Sequence, residues 1–223
     1  MKTEIIPTIL VKTFKEVKEG IKAVEKYVNW VQLDIMDGIF VNNKTWHNPK
    51  DLKGFKTKVK LEAHLMIEKP EEVIDDWLKV VDRIIIHYET SKNIKEIIEK
   101  VHNKKKGIGV ALNPETHPTA IEPFLKDLDL VLIMSIQPGW GGQEFKERVL
   151  EKIKALRKIW PKGNIEVDGG VNDENIKKIS DAGANLFGVN TYIYRSKNIN
   201  PSPLDKGDRV KQAIDNLKRS LTS

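Results

Sequence analysis

The amino-acid sequence predicts an α/β protein that forms one (β/α)8 (TIM) barrel, a single domain spanning residues 1–223. Eight short runs rich in β-branched residues alternate with longer amphipathic runs rich in lysine and glutamate. Eight such units in 223 residues give about 28 residues per unit, which is the size of a βα repeat. No linker rich in proline, glycine or serine divides the chain, so we expect one barrel.

The predicted elements follow one another in regular order along the chain. The eight predicted strands are 4–10, 30–36, 59–67, 82–88, 107–112, 128–135, 164–170 and 185–190. Helical patterns occupy 13–27, 70–79, 92–104, 145–159 and 172–182, with a C-terminal helix at about 206–220. Segments 38–57 and 114–127 have no clear helical period. We expect helices to stop near Gly107 and Gly183, since glycine accepts the backbone conformation that ends a helix.

A doubly wound parallel sheet is the competing fold for a chain with alternating strands and helices. Its phosphate-binding signature, G-x-G-x-x-G at the opening of the first helix, is missing after the first predicted strand. The barrel is therefore favoured, and in that fold catalytic residues lie at the carboxyl ends of the strands.

Composition excludes several classes of function. The chain has no cysteine, which excludes disulfide scaffolds, thiolate zinc sites, iron–sulfur clusters and a thiol nucleophile. Its apolar runs are far shorter than the roughly 18–20 residues that span a bilayer, and the start resembles no signal peptide. The net charge of +6 is spread over mixed Lys/Glu stretches typical of a solvated surface. We expect a cytoplasmic protein that binds neither membrane nor nucleic acid.

Strand alternation separates an apolar face, packed on helices, from a polar face inside the barrel. The second predicted strand turns Gln32, Asp34 and Met36 inward, and the seventh turns Glu166 and Asp168 inward. The inward residues of the third strand are Lys60, Glu62, His64 and Met66. Buried ionisable groups are costly unless they pair or bind a metal. Gln32, Asp34, His64 and Asp168 therefore form a candidate acid/base and metal cluster.

Two glycine-rich segments follow strands at the same end of the barrel. Residues 137–143 read QPGWGGQ after the sixth strand, and Gly169 and Gly170 follow Asp168. Glycine lets backbone N–H groups approach an anion closely, and late loops of barrels commonly hold phosphate. A phosphate cradle next to the acid/base cluster is the expected arrangement.

At these residues the sequence resembles the ribulose-phosphate 3-epimerase family, over about residues 4–195. The matching motifs occur in order along the chain: PTIL (7–10), LDIMDG (33–38), HLM (64–66), LNP (112–114), MS (134–135), PGWGGQ (138–143) and VDGG (167–170). The resemblance implies a ribulose-phosphate-binding barrel, with Asp34 and Asp168 as the acid and base for epimerisation next to a carbonyl. Resemblance also implies a homo-oligomer, either a dimer or a hexamer.

The resemblance further implies one divalent metal ion (Zn, Mn, Fe, Co or Mg), held in the family by two histidines and both aspartates. Asp34, His64 and Asp168 match three of these ligands, and Gln32 stands at the fourth position. The implied substrate-binding residues are Thr8, Met36, His64, Met66 and Met134. The implied phosphate-binding residues are Gly139, Trp140, Gly141, Gly142, Gly169, Gly170, Asn190 and Thr191.

The sequence departs from the family pattern at two places. Gln32 replaces a ligand histidine, and an amide oxygen is a weaker donor for Zn²⁺ or Fe²⁺ than imidazole, so the site favours a harder ion. Asn190 and Thr191 replace a Gly-Ser pair, which keeps both backbone N–H groups but narrows the phosphate pocket.

Three functions remain open from the sequence. The first is a metal-assisted 3-epimerase that interconverts D-ribulose 5-phosphate and D-xylulose 5-phosphate. The second is an epimerase of another ketose phosphate, such as allulose 6-phosphate. The third is a non-catalytic phosphosugar-binding barrel that has lost its metal, which Gln32 favours. Three further histidines, His47, His87 and His117, have no assigned role; for His87, at the end of the fourth strand, core packing is the favoured explanation.

Overall fold

The computed structural model describes residues 1–194 and 206–222 and confirms the barrel. Eight parallel strands close on themselves in sequence order, each pairing with its chain neighbour and the eighth with the first. The strands are β1 (Glu4–Ile9), β2 (Trp30–Met36), β3 (Lys60–Met66), β4 (Arg83–His87), β5 (Gly107–Leu112), β6 (Leu130–Met134), β7 (Asn164–Asp168) and β8 (Leu186–Val189). Residues 195–205 and 223 of the predicted domain lie outside the described residues.

Helices cover the outside of the barrel. They are α1 (Phe14–Val24), α2 (Ile74–Trp77), α3 (Ile94–Asn103), α4 (Val149–Ile159), α5 (Ile176–Asp181), α6 (Thr191–Tyr194) and α7 (Lys206–Thr222). The segments without helical period contain 3-10 helices instead, at Pro49–Leu52 and Pro118–Asp127. The C-terminal helix α7 packs against α1, α5 and α6 and so covers the β8–β1 junction.

Local sequence explains where α1 begins. The Thr13 hydroxyl accepts a hydrogen bond from the Glu16 backbone N–H, and the Glu16 carboxylate accepts one from the Thr13 N–H. This reciprocal capping satisfies two backbone donors that a helix end otherwise leaves free. The buried face of α1, Val17, Ile21 and Val24, then packs onto the sheet.

Two separate hydrophobic clusters confirm the predicted alternation of strand faces. The larger one lies between the sheet and the helices and includes Leu33, Leu65 and Val167 from three different strands. The smaller one fills the barrel interior and includes Ile6, Ile85, Leu130, Leu132 and Met134. The buried polar side chains of β2, β3 and β7 therefore face the interior, whereas Lys60 at the start of β3, also predicted to point inward, is exposed.

Two local expectations were wrong. The segment predicted as one helix over 70–79 is a 3-10 turn at Pro70–Glu72 followed by the single turn α2, and the two meet at Val73, whose φ of −119° and ψ of −13° depart from regular helix geometry. After α3 the left-handed residue is Lys105, with φ of 55°, and Gly107 already begins β5. Gly107 packs closely on β4, since a Cβ there would lie 3.1 Å from the Arg83 side chain, which would have to shift by a few tenths of an ångström.

Among the helices of the described residues, none combines the length and apolar character needed to cross a bilayer.

Candidate active site

A cavity of about 550 Å³ opens at the carboxyl ends of the strands. Two aspartates, Asp34 at the end of β2 and Asp168 at the end of β7, form its floor. The remaining lining residues with an expected role are Thr8, Met36, Met66, Met134, Gly139, Trp140, Gly141, Gly142, Gly169, Gly170, Asn190 and Thr191. The structure thus brings the expected acid/base pair and the expected phosphate cradle into one space.

The two carboxylates are joined by the side-chain amide of Gln32. Its Nε2 donates to Asp34 Oδ1 at 2.9 Å and to Asp168 Oδ2 at 2.7 Å. Strands β2 and β7 lie three positions apart around the barrel, so the carboxylates enter the cavity from different sides. Gln32 itself is fully buried beneath them and does not line the cavity.

Both aspartates carry unusual proton affinities. Burial raises the pKa of Asp34 to about 7, and burial together with the charge of Asp34 raises the pKa of Asp168 to about 7. Within residues 1–194 and 206–222, neither carboxylate forms an ion pair with a lysine or arginine. The site therefore holds two carboxyl groups without a lysine or arginine countercharge from the described part of the chain.

His64 lies beneath the two aspartates and is the third member of the cluster. Its Nδ1 lies 3.3 Å from Asp34 Oδ1 and 3.9 Å from Asp168 Oδ2. The ring is fully buried and does not line the cavity, and burial lowers its pKa to about 4. One atom from each of Asp34, His64 and Asp168 lies within 4.8 Å of the others, so the three can hold a metal ion.

The hydrogen bonding of the Gln32 amide indicates whether a cation fits between these side chains. Its Oε1 is buried and has no hydrogen-bond partner among the residues that the structure describes, while its Nε2 fills the space between the carboxylates. A half-turn of the amide would place Oε1 between two carboxylates, an arrangement that needs a cation between them. The donor set of two carboxylates, one imidazole and one amide oxygen suits a divalent ion and is rich in oxygen.

The phosphate end of the cavity depends on backbone conformation. Gly170 has φ of +65°, and a Cβ there would lie 2.6 Å from the backbone nitrogen of Phe145. Only glycine fits that position, so the loop after β7 can pack directly on the loop that carries Gly139–Gly142. The Asn190 side chain donates to the carbonyl oxygen of Thr8 at 2.6 Å, which ties the end of β8 to β1.

The structure adds residues that the sequence did not assign. His87 is buried as expected, but it also contacts His64, with 2.9 Å between the two Nε2 atoms. Glu89 lies next along this chain of contacts, 3.3 Å from His87 Nδ1. The only sequence signal was the spacing of His87 and Glu89 at the end of β4. Neither His47 nor His117 lines the cavity; each bonds to residues of its own loop.

Solved structures with the same architecture support the fold. The chain matches a mutant tryptophan synthase alpha-subunit from Pyrococcus furiosus with a TM-score of 0.72 at 14% identity, covering 98% of this chain and 100% of that one. It matches a 3-hexulose-6-phosphate synthase with a TM-score of 0.69 at 14% identity, covering 98% and 99%. At such identities the likeness concerns the fold alone.

Sequence comparison is more specific. The chain is 38% identical over 200 residues to the ribulose-phosphate 3-epimerase of Bacillus subtilis, covering 86% of this chain and 92% of that protein. It is 34% identical over 204 residues to the Schizosaccharomyces pombe protein of the same name, covering 88% and 89%. The model of the ribulose-phosphate 3 epimerase family matches residues 4–194. The chain therefore belongs to the ribulose-phosphate 3 epimerase family.

Proposed function

We propose that the protein is an isomerase that interconverts D-ribulose 5-phosphate and D-xylulose 5-phosphate by proton transfer at C3. The observation that carries the proposal is the buried pair Asp34 and Asp168, which share the Gln32 amide on the floor of a cavity whose other end is a glycine-rich cradle. Relatives named ribulose-phosphate 3-epimerase, at 34% and 38% identity, support the same reaction.

Two carboxyl groups suffice for the proton steps. The ionised aspartate removes the C3 proton of the ketose, which leaves an enediolate, and the protonated aspartate delivers a proton to C3 on the opposite face. The entry of Asp34 and Asp168 from different sides of the barrel supports this two-faced arrangement. In the metal-free protein a pKa of about 7 for each group allows one to be ionised and the other protonated near neutral pH, and a bound cation would favour the ionised form of its ligands.

Asp34, His64 and Asp168 are the proposed ligands of one divalent cation, with the Gln32 amide oxygen as a fourth donor after rotation. When bound, the cation would stabilise the negative charge that develops on the enediolate oxygens. The burial of His64 below the aspartates supports its role as a ligand more than as a direct substrate contact. The oxygen-rich donor set favours Mg²⁺, Mn²⁺ or Co²⁺ within the expected range of ions, which also includes Zn²⁺ and Fe²⁺.

The rest of the cavity is proposed to hold the substrate chain. Backbone N–H groups of the loops at Gly139–Gly142 and at Gly169 and Gly170 would receive the phosphate. Met36, Met66 and Met134 would exclude water from the reacting carbon with polarizable apolar atoms. Thr8 places a buried hydroxyl on the cavity wall next to Asp34, where it opposes the rise in the pKa of that carboxyl.

Solvent-deuterium exchange tests the reaction directly. Ribulose 5-phosphate incubated in D₂O with the metal-loaded enzyme should gain deuterium at C3 and yield xylulose 5-phosphate, with elemental analysis reporting the bound ion. Exchange into allulose 6-phosphate alone would support the second candidate, an epimerase of another ketose phosphate, which the side chain of Asn190 at the phosphate end favours. Exchange into neither substrate would overturn the enzymatic proposal and leave a phosphosugar-binding barrel.

Two expectations stay predictions, the oligomer implied by the resemblance and the cytoplasmic location inferred from the composition of the sequence. We propose that the protein self-associates as a dimer or hexamer and that it works in the cytoplasm. Light scattering coupled to size-exclusion chromatography measures the first, and fractionation of the source cells measures the second.

A further inference from the structure

We propose that His87 and Glu89 are positioning residues that hold His64 in the one neutral tautomer whose Nδ1 is free to bind a cation. The proposal rests on the proposed function, because it concerns the ligand set of the same site. Neither residue contacts the cavity floor directly, and both act through the ring of His64.

Three side chains form a continuous line away from the site. His64 Nε2 lies 2.9 Å from His87 Nε2, and His87 Nδ1 lies 3.3 Å from Glu89 Oε2. The planes of the two rings differ by only 18°. Their centroids are 5.0 Å apart, much farther than the two nitrogens, so the rings meet at their edges. This is the geometry of an in-plane hydrogen bond between imidazoles.

Glu89 sets the direction of this line of hydrogen bonds. Its Oε1 accepts from the Asn113 backbone N–H at 2.9 Å and from the Thr116 hydroxyl, which leaves Oε2 for His87. A carboxylate surrounded by three donors is ionised and can only accept. Although burial opposes ionisation, the hydrogen bonds from His87, Thr116 and Asn113 lower the pKa of Glu89 to about 2.

The position of each imidazole proton follows from that direction. Both rings are fully buried, and a buried neutral imidazole carries one N–H. His87 places its proton on Nδ1 to donate to Glu89, so its Nε2 accepts. The only donor at 2.9 Å is His64 Nε2–H, which leaves Nδ1 of His64 without a proton.

Two groups lie next to Nδ1 of His64: the donor Gln32 Nε2 at 3.4 Å, which favours an unprotonated Nδ1, and a carboxylate oxygen of Asp34, which favours a proton there and is opposed by the line of hydrogen bonds on the other side of the ring. Nδ1 lies 3.3 Å from Asp34 Oδ1, and a proton there would make a hydrogen bond to a carboxylate. That tautomer would block the nitrogen that faces Asp34 and Asp168. Hydrogen bonds of this kind behind a metal-binding histidine typically change metal affinity by about 10- to 100-fold.

The tautomers can be measured in the metal-free full-length protein. Two-bond ¹H–¹⁵N correlation spectra distinguish Nδ1–H from Nε2–H for each histidine ring. We expect His64 as the Nε2–H form and His87 as the Nδ1–H form. A wild-type spectrum with His64 as the Nδ1–H form would overturn the proposal. No substrate or metal is involved, so this result is independent of whether the protein exchanges deuterium into ribulose 5-phosphate.

Glu89→Gln provides the matching perturbation. The glutamine oxygen should keep the Asn113 and Thr116 hydrogen bonds, so its NH₂ would face His87 and donate to Nδ1. Both tautomers should then reverse, and Mn²⁺ affinity, measured by calorimetry, should fall about 10- to 100-fold. The control is Glu115→Gln, a nearby exposed acid that pairs with Arg148 and should leave tautomers and affinity unchanged. Unreversed tautomers with unchanged Mn²⁺ affinity in folded Glu89→Gln protein would contradict the proposal, and if that variant does not fold the wild-type spectrum still decides.

Discussion

The barrel interior holds buried carboxylates at two levels, and the two levels are compensated differently. The lower level consists of Glu62, Arg83 and Glu166, all nearly or fully buried near the amino ends of the strands. Arg83 Nε donates to Glu62 Oε2 at 2.7 Å, and a second guanidinium nitrogen contacts the same oxygen. The guanidinium also lies 4.2 Å from the ring centroid of Trp30.

The upper level consists of Gln32, Asp34, His64 and Asp168, and it lies next to the cavity. Its carboxylates have a neutral amide where the lower level has a guanidinium. Burial raises the pKa of all four acids, and Arg83 opposes that shift at Glu62. Arg83 therefore compensates Glu62 by direct contact and Glu166 by its charge alone, since neither Glu166 oxygen has a hydrogen-bond partner among the described residues. Among the described residues no lysine or arginine does the same for Asp34 and Asp168, which in the proposed function exchange a proton and hold an ion.

Amide substitutions at the upper level should have the largest effect. Asp34→Asn and Asp168→Asn should each lower the rate of epimerisation by at least about 10²- to 10⁴-fold, because each removes one proton carrier. Circular dichroism should show an intact fold, since the amide is isosteric and removes a buried charge. A coupled assay of xylulose 5-phosphate measures the rate.

Glu166→Gln is the matched control on the same strand, two residues before Asp168 and outside the cavity. It should keep the rate within about tenfold of the parent, a change of under roughly 1.4 kcal/mol in the barrier. Near-parental turnover in either aspartate variant would show that the two-base assignment is wrong.

Removal of the lower-level cation should act on stability. Arg83→Met leaves Glu62 buried without its partner, which typically costs about 3–5 kcal/mol of unfolding free energy. Urea denaturation measures the loss. The control is Arg148→Met, which breaks an exposed pair with Glu115 and should cost no more than about 1 kcal/mol.

The double variant Arg83→Met/Glu62→Gln should recover part of the loss, since the charge that needed compensation is gone. A loss below about 1 kcal/mol in the single variant would mean that the lower level is not held by this pair. It would also remove the contrast between the two levels.

The sequence predicted which residues form the upper level better than it predicted their contacts with neighbouring strands. Alternation of side chains along strands places Gln32, Asp34, His64 and Asp168 inward whatever the exact register, and the glycine-rich loops mark the cavity by composition. The contact between His64 and His87 depends on the register between β3 and β4. His64 pairs with Ile85, and His87 lies two residues farther toward the carboxyl end of β4. No pattern within either strand contains that offset.

Local helix boundaries failed for a related reason. A left-handed residue after a helix is usually glycine, so Gly107 was the natural expectation, but Lys105 takes that conformation. Gly107 lies instead in β5, where it packs closely against the Arg83 side chain, a tertiary contact that composition does not reveal. The pairing of Arg83 with Glu62 across β3 and β4 is likewise visible only once the barrel is closed.

Replacement of the Gln32 amide should have the smallest effect of the changes considered, and that effect is on metal affinity. It bears directly on the difference between the two levels, because the amide stands where the lower level has a guanidinium. Gln32→His offers an imidazole nitrogen in place of an amide oxygen that must first rotate, so Zn²⁺ or Mn²⁺ should bind about tenfold tighter, or about 1.4 kcal/mol. Calorimetric titration of metal-free protein measures the change. Gln32→Met removes the amide without adding a donor and should weaken binding instead. Equal affinity in all three proteins would mean that this position contributes no ligand and that Asp34, His64 and Asp168 alone set the affinity of the site.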